Sequence, residues 1–197
     1  LLREHDEDLA RVGGYSAGAA RARDAAHEPI LRRLIHRLPW LVLGLLGAML
    51  SALIVNAFDD RLAQNLLVAL FVPAVVYMAD AVGTQTEALL IRAMASGVTV
   101  KSMVVRELGT GGIIGVVVGL SFALFAFVGW GDDRLAIAVG IALFASCTFA
   151  TVLAMAFPAL LDHFGQDPAF GSGPLATVAQ DLASIVVYFG AVVAIGA

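Results

Sequence analysis

Cysteine is all but missing from this chain: among 197 residues only Cys147 carries a thiol, inside an apolar run. An intrachain disulfide and a metal–thiolate cluster are thereby excluded. Charge is scarce as well. Asp, Glu, Lys and Arg make up 14% of the residues, where soluble domains carry about 25%. The four histidines, His5, His27, His36 and His163, are scattered through tails and loops without metal-ligand spacing. No His-Glu-x-x-His and no Walker-type loop occurs, so zinc-dependent hydrolysis and ATP-driven pumping have no residues to carry them. The net charge of −4 is spread over tails and short loops and marks no nucleic-acid surface. No nucleic-acid partner is expected.

What fills the chain is hydrocarbon. Hydrophobic residues make up 60% and the mean hydropathy is +0.89, which places the protein in a lipid bilayer. A span needs about 20 apolar residues to cross a ~30 Å core. Five such stretches are predicted: one between Arg37 and Asp59, then Leu62–Ala79 running on past Asp80 and Glu87 to Arg92, then Leu108–Val128, Leu135–Leu161 and Pro174–Ala197. Trp40 opens the first as an interfacial anchor. The fold class is therefore an all-α membrane protein with five transmembrane helices.

Only the N-terminal part is compatible with water. Residues 1–16 read as the tail of a preceding cytoplasmic regulatory domain or a linker, and a chain opening on Leu1 reads as a piece of a longer protein. The stretch is too charged for a signal peptide. Residues 17–38 are expected to form an amphipathic juxtamembrane helix, with Ile30, Leu31, Leu34, Ile35 and Leu38 on one face and Arg33 and Arg37 on the other. Residues 39–197 then make the membrane domain. Arg32, Arg33 and Arg37 precede the first span, and Arg92, Lys101 and Arg106 precede the third, whereas Asp59-Asp60-Arg61 and Asp132-Asp133-Arg134 are net acidic. By the positive-inside rule the N-terminus is cytoplasmic and the C-terminus outside. The last connection, with Asp162, His163 and Asp167, carries no Lys or Arg and lends no support.

Small residues recur four apart at Gly111, Gly115 and Gly119, and again at Gly44, Ala48 and Ala52. Such stripes let helix backbones approach closely, so these are read as packing surfaces. Polar residues at hydrocarbon depth are more telling. Asp181 is the only charge between Gly171 and Ala197, and a carboxylate at that depth costs roughly 2.5–3.5 kcal/mol unless it faces a partner, a cavity or an ion path. Helical spacing puts Thr177, Asp181, Ser184 and Tyr188 on one stripe, with Pro174 suited to the first helical turn. Asp80, Thr84 and Glu87 share a stripe on the second span. Glu87 and Arg92 read as wet, beyond the membrane; for Asp80 a wet position and a pore position both stay open. Pro73 and Gly83 offer places for that helix to bend. Gly129-Trp-Gly131-Asp132 matches the Gly-x-Gly-Asp signature of intramembrane aspartyl proteases, with Tyr77-Met-Ala-Asp80 a faint partner motif. Asp132 lies in an acidic outer loop, which speaks against that chemistry.

The runs Arg37-Leu-Pro-Trp40-Leu-Val, Phe71-Val-Pro73, Gly83-Thr-Gln85-Thr, Leu90-Ile-Arg92-Ala, Arg106-Glu107-Leu, Phe157-Pro158, Asp167-Pro168 and Pro174-x-x-Thr177-x-x-x-Asp181 follow one another in order. Together they resemble the transmembrane domain of MgtE magnesium transporters from about Pro29 to the C-terminus. The resemblance implies a homodimeric bundle whose central cation pore is lined by the second and fifth helices of both subunits. It makes Asp181 the main ion ligand. Asp80, Thr177 and Ser184 are second-rank candidates, followed by carbonyls around Gly173 and Ala176. Two departures stand out: Ala79-Asp80-Ala81 where the family has Gly-Gly-Asn, and Gly173 where it has Asn.

The chemistry fits that implication. Mg²⁺ takes octahedral oxygen ligands, dehydrates reluctantly and is commonly held by one or two carboxylates with water retained. The expected function is uptake of Mg²⁺, or a similar divalent cation, through a channel-like pore in the cell membrane, without enzymatic activity. The alternatives are a divalent cation exchanger driven by Na⁺ or H⁺ with Asp80 as the titrating group, an intramembrane aspartyl hydrolase using Asp80 and Asp132, and a purely structural packing subunit.

Overall fold

The structure is a computed structural model that describes residues 29–165 and 168–197. The tail and the first part of the expected amphipathic segment, residues 1–28, lie outside the described residues, as does Asp167. Every regular element among the described residues is helical, and five of the helices are long and apolar enough to cross a membrane. They are α1 (Ile30–Asn56), α3 (Leu66–Ala95), α4 (Val104–Trp130), α5 (Asp133–His163) and α6 (Pro168–Ile195), with a short α2 (Asp59–Gln64) and a 3₁₀ turn at Val100–Ser102 between them.

Local chemistry fixes where these helices begin and end. The Asn65 side chain accepts the Leu67 N–H at 3.1 Å, capping α3 and separating it from α2. Residues 62–64 therefore belong to α2, and the second span starts at Leu66, not at Leu62 as the hydropathy predicts. At the junction of α4 and α5, Gly131 takes a left-handed conformation (φ 70°) and its N–H reaches the Phe127 carbonyl at 2.8 Å, a glycine helix stop. Asp132 then accepts the Leu135 N–H at 3.0 Å and caps α5. The Gly-x-Gly-Asp motif is thus a helix stop followed by a helix cap. Removing the cap as Asp132→Ala should cost about 1 kcal/mol, measurable as a lower thermal midpoint in detergent with transport unchanged.

The spacing that suggests a short last helix also undershoots. α6 starts at Pro168, so Pro174 lies inside it and not in its first turn. A proline there removes the N–H that would bond the Phe170 carbonyl. In α1, the helix continues through Pro39 without a break, so the described part of the expected amphipathic segment is continuous with the first span. Ile30, Leu31, Leu34, Ile35 and Leu38 are all exposed on it.

α5 is the centre of the bundle and packs against α3, α4 and α6. It carries no charge from Leu135 to Leu161, and its Ala138, Val139, Ala142, Leu143 and Cys147 are fully buried. The glycine stripe of α4 meets it. A Cβ on Gly115 would stand 2.9 Å from the Phe144 carbonyl oxygen, and one on Gly119 would stand 2.6 Å from that of Gly140. The stripe read from α1 behaves otherwise: Gly44 faces open space and Ala48 and Ala52 are exposed. Gly47 is the close contact there, against the Val178 side chain of α6. Registering α1 by its small residues alone fails because α1 touches the bundle chiefly along α6.

α3 and α6 run antiparallel. At one end Tyr188 donates its hydroxyl to the Val68 carbonyl at 2.8 Å, and Phe58 stacks on Phe189 at 4.4 Å. At the other end Ser172 of α6 meets Glu87 of α3. Between these ends lies the seam that carries the polar residues.

Candidate functional site

α3 has 30 residues, about 45 Å at 1.5 Å per residue, so Asp80, fifteenth along it, stands at its midpoint. Trp130, the residue next but one to Asp132, packs edge-on against Phe71 at 5.3 Å. Phe71 is nine residues before Asp80, roughly 13 Å along the helix. Asp80 and Asp132 therefore lie at different depths and make no catalytic pair.

Asp80 instead faces α6. The Thr177 hydroxyl donates to its Oδ1 at 3.2 Å. Asp181 follows Thr177 by one helical turn and Glu87 follows Asp80 by two, so three carboxylates share one antiparallel seam. Thr177 is exposed, and Asp80 and Asp181 are half-buried. This row opens onto the outer face of the chain. The neighbouring row of α6 turns inward: Ala176, Gln180 and Ser184 are buried. Of the residues singled out in the sequence, the structure brings together Asp80, Thr177 and Asp181. Ser184 and Ala176 lie one row deeper. Gly173 is half-buried next to Glu87, whose Oε1 is 3.8 Å from where a Cβ at Gly173 would stand.

Two residues of the seam escape the sequence reading. Glu87 is not wet: only 8% of its surface is exposed, and it accepts a hydrogen bond from the Ser172 hydroxyl. The physical reason is the length of α3 together with the early start of α6, which brings Ser172 and Gly173 against Glu87. Gln180, 2% exposed, lies so close against Gly83 that a Cβ there would run into its Oε1. The signal was present, since Gln180 is the only amide between Gly171 and Ala197.

The ligating atoms this seam offers are carboxylate, hydroxyl and amide oxygens, with no thiolate or imidazole on it, a donor type that suits hard cations better than soft metals. Among the described residues no three His, Cys, Asp or Glu side chains converge as a closed metal cage. Two carboxylates with a hydroxyl, open on one side, suit a cation that keeps much of its water. A groove of about 330 Å³ between α4 and α5, lined by Val116, Leu120, Ala123, Ile137, Ile141 and Phe144, has no polar side chain and lies off this path.

Five helices long and apolar enough to span a bilayer, with an acidic seam between two of them, define a multi-pass membrane protein. The MgtE family, described as divalent cation transporters, matches residues 72–191, and the chain belongs to that family, whose members are transporters and not enzymes. It is 32% identical over 195 residues to the magnesium transporter MgtE of Bacillus subtilis, covering 96% of this chain and 42% of that protein. With the magnesium transporter MgtE of Enterococcus faecalis it shares 29% over 179 residues, 89% of this chain and 40% of the relative. With that of Thermus thermophilus it shares 31% over 157 residues, 77% of this chain and 34% of the relative. The chain thus spans about two fifths or less of the length of these relatives.

Proposed function

We propose that this chain forms the membrane pathway of a divalent cation transporter that carries Mg²⁺ into the cytoplasm. One observation carries the reading: two half-buried carboxylates, Asp80 bonded by Thr177 and Asp181 one helical turn further along α6, share a seam open to the chain's outer face. An open acidic row inside hydrocarbon needs something to cover it. A second copy related by a two-fold axis would place its own Asp181 opposite the first, an isologous contact. The cation between them offsets their repulsion. Thr177 and the carbonyls near Gly173 and Ala176 hold the ion's water. Ser184, one row deeper, supports the Asp181 side of the seam. Arg32, Arg33 and Arg37 at the start of α1 and the Arg92–Arg106 segment favour a cytoplasmic N-terminus by the positive-inside rule.

A passive pore supplies enough driving force. With the inside negative, a divalent ion gains about 4–5 kcal/mol per 100 mV, twice the single-charge value. The test is Mg²⁺ uptake into proteoliposomes under an imposed potential, with no Na⁺ or proton gradient. Uptake driven by voltage alone is expected, and a strict requirement for either gradient would replace the channel with an exchanger. Asp80→Asn separates the two mechanisms further. In the pore it removes one charge beside the main ligand, raising half-saturating Mg²⁺ about tenfold, ~1.4 kcal/mol, with flux retained at saturation. In an exchanger it removes the titrating group and abolishes coupled transport.

A further inference from the structure

Resting on that reading, we propose a second cation station on the same seam, built by Glu87 and Gln180, with Ser172 positioning the carboxylate, and distinct from the Asp80–Asp181 pair. Glu87 supplies a buried carboxylate, whose Oε1 accepts from the Ser172 hydroxyl. Ser172 thereby fastens the carboxylate to α6 and holds it in position. Gln180 supplies the second observation. Its Oε1 is buried and has no hydrogen-bond partner among the described residues, a state that costs about 1–3 kcal/mol if nothing satisfies it.

The position of this carbonyl points to what it serves. Oε1 lies on the α3 backbone at Gly83, three residues after Asp80 and four before Glu87. Residues at those spacings share a helix face, so the amide stands on the acidic stripe between the two carboxylates. Gly83 is what allows it there, since any Cβ would collide with the amide. Carboxylate and amide carbonyl oxygens are donors for hard cations such as Mg²⁺, Mn²⁺ and Ca²⁺. Glu87 is about 10 Å along α3 from Asp80. Two stations at that spacing suit conduction, in which an ion must bind well enough to enter and be displaced to leave. Gln180, next in sequence to Asp181, borders both.

A Glu87 that merely fastens α3 to α6 through Ser172 would bind no ion, and the two roles part in a binding measurement. Mn²⁺ serves as the probe, its free fraction read by electron paramagnetic resonance on the whole purified chain in detergent. The wild type is expected to bind one more Mn²⁺ per chain than Glu87→Gln. Asp181→Asn is expected to retain that ion, and Gln180→Met, close in volume but without the carbonyl, to weaken it at least tenfold. If Glu87→Gln does not fold, Ser172→Ala and Gln180→Met report on the same ion. Equal Mn²⁺ on the wild type and on the folded variants overturns the second station, as does its complete loss in Asp181→Asn. Flux is scored separately: unchanged transport through Asp181→Asn sinks the proposed pathway while leaving the Glu87 ion where the binding data put it.

Discussion

Replacing Asp181 by Asn is expected to lower Mg²⁺ flux at least 100-fold, about 2.7 kcal/mol, while making the ion-free protein more stable. The two effects have one origin. A carboxylate held in the membrane without its cation is a liability of roughly 2.5–3.5 kcal/mol, and Asn carries no charge to desolvate. In a two-fold assembly each substitution removes two charges from one site, so little attraction remains to draw a divalent ion from water. Thermal unfolding in detergent checks the stability half. The wild type should gain about 2.7 kcal/mol from Mg²⁺ at 100 times its dissociation constant, and Asp181→Asn should lose most of that gain. A variant that loses flux together with its ion-free stability would instead mark Asp181 as structural. Proteoliposomes loaded with a Mg²⁺ dye read the other half.

The helices were legible because membrane folding leaves few choices. A run such as Leu135–Leu161, without a charge for 27 residues, satisfies its backbone in lipid only as a helix. The ends were less so, since a single side chain decides them. Asn65 cuts α3 from α2 with one hydrogen bond, and hydropathy does not register such a cap. The α4 glycines were read correctly as packing surfaces, and the α1 stripe was not, because small residues show that a close approach is permitted without showing which face has a neighbour. Gly44 has none.

The site was legible where charge alone speaks. Asp181 stands out because nothing else in its helix is ionised. Glu87 was misplaced because its burial depends on α6 beginning at Pro168 and bringing Ser172 over it, a contact between positions 85 residues apart. Gln180 was passed over because an uncharged amide among apolar residues reads as ordinary until its carbonyl is found buried and unbonded. Both omissions concern the row of α6 that faces inward, and inward or outward cannot be told from one helix by itself.

The glycines of α4 give the largest effect on the fold. Gly119→Leu should lower stability by about 2–3 kcal/mol, whereas Gly112→Leu, two turns earlier where nothing lies within 4 Å of a Cβ, should leave the thermal midpoint unchanged. The difference lies in what each new side chain meets. At Gly119 the first added carbon already stands 2.6 Å from a backbone oxygen, which cannot rotate aside as a side-chain end can. α4 must therefore move away from α5 along the stretch where Gly115 and Gly119 hold them together. In lipid no hydrophobic force draws the helices back, because van der Waals packing is what joins them. The polar seam lies on the far side of α5, so molecules that remain folded should transport at the wild-type rate per molecule. Cross-linking in the membrane separates this from a dimer role. If Gly119 serves contacts within its own chain, the folded fraction of Gly119→Leu cross-links as well as the wild type; a variant that folds normally but no longer cross-links would move the α4 glycines to the subunit interface.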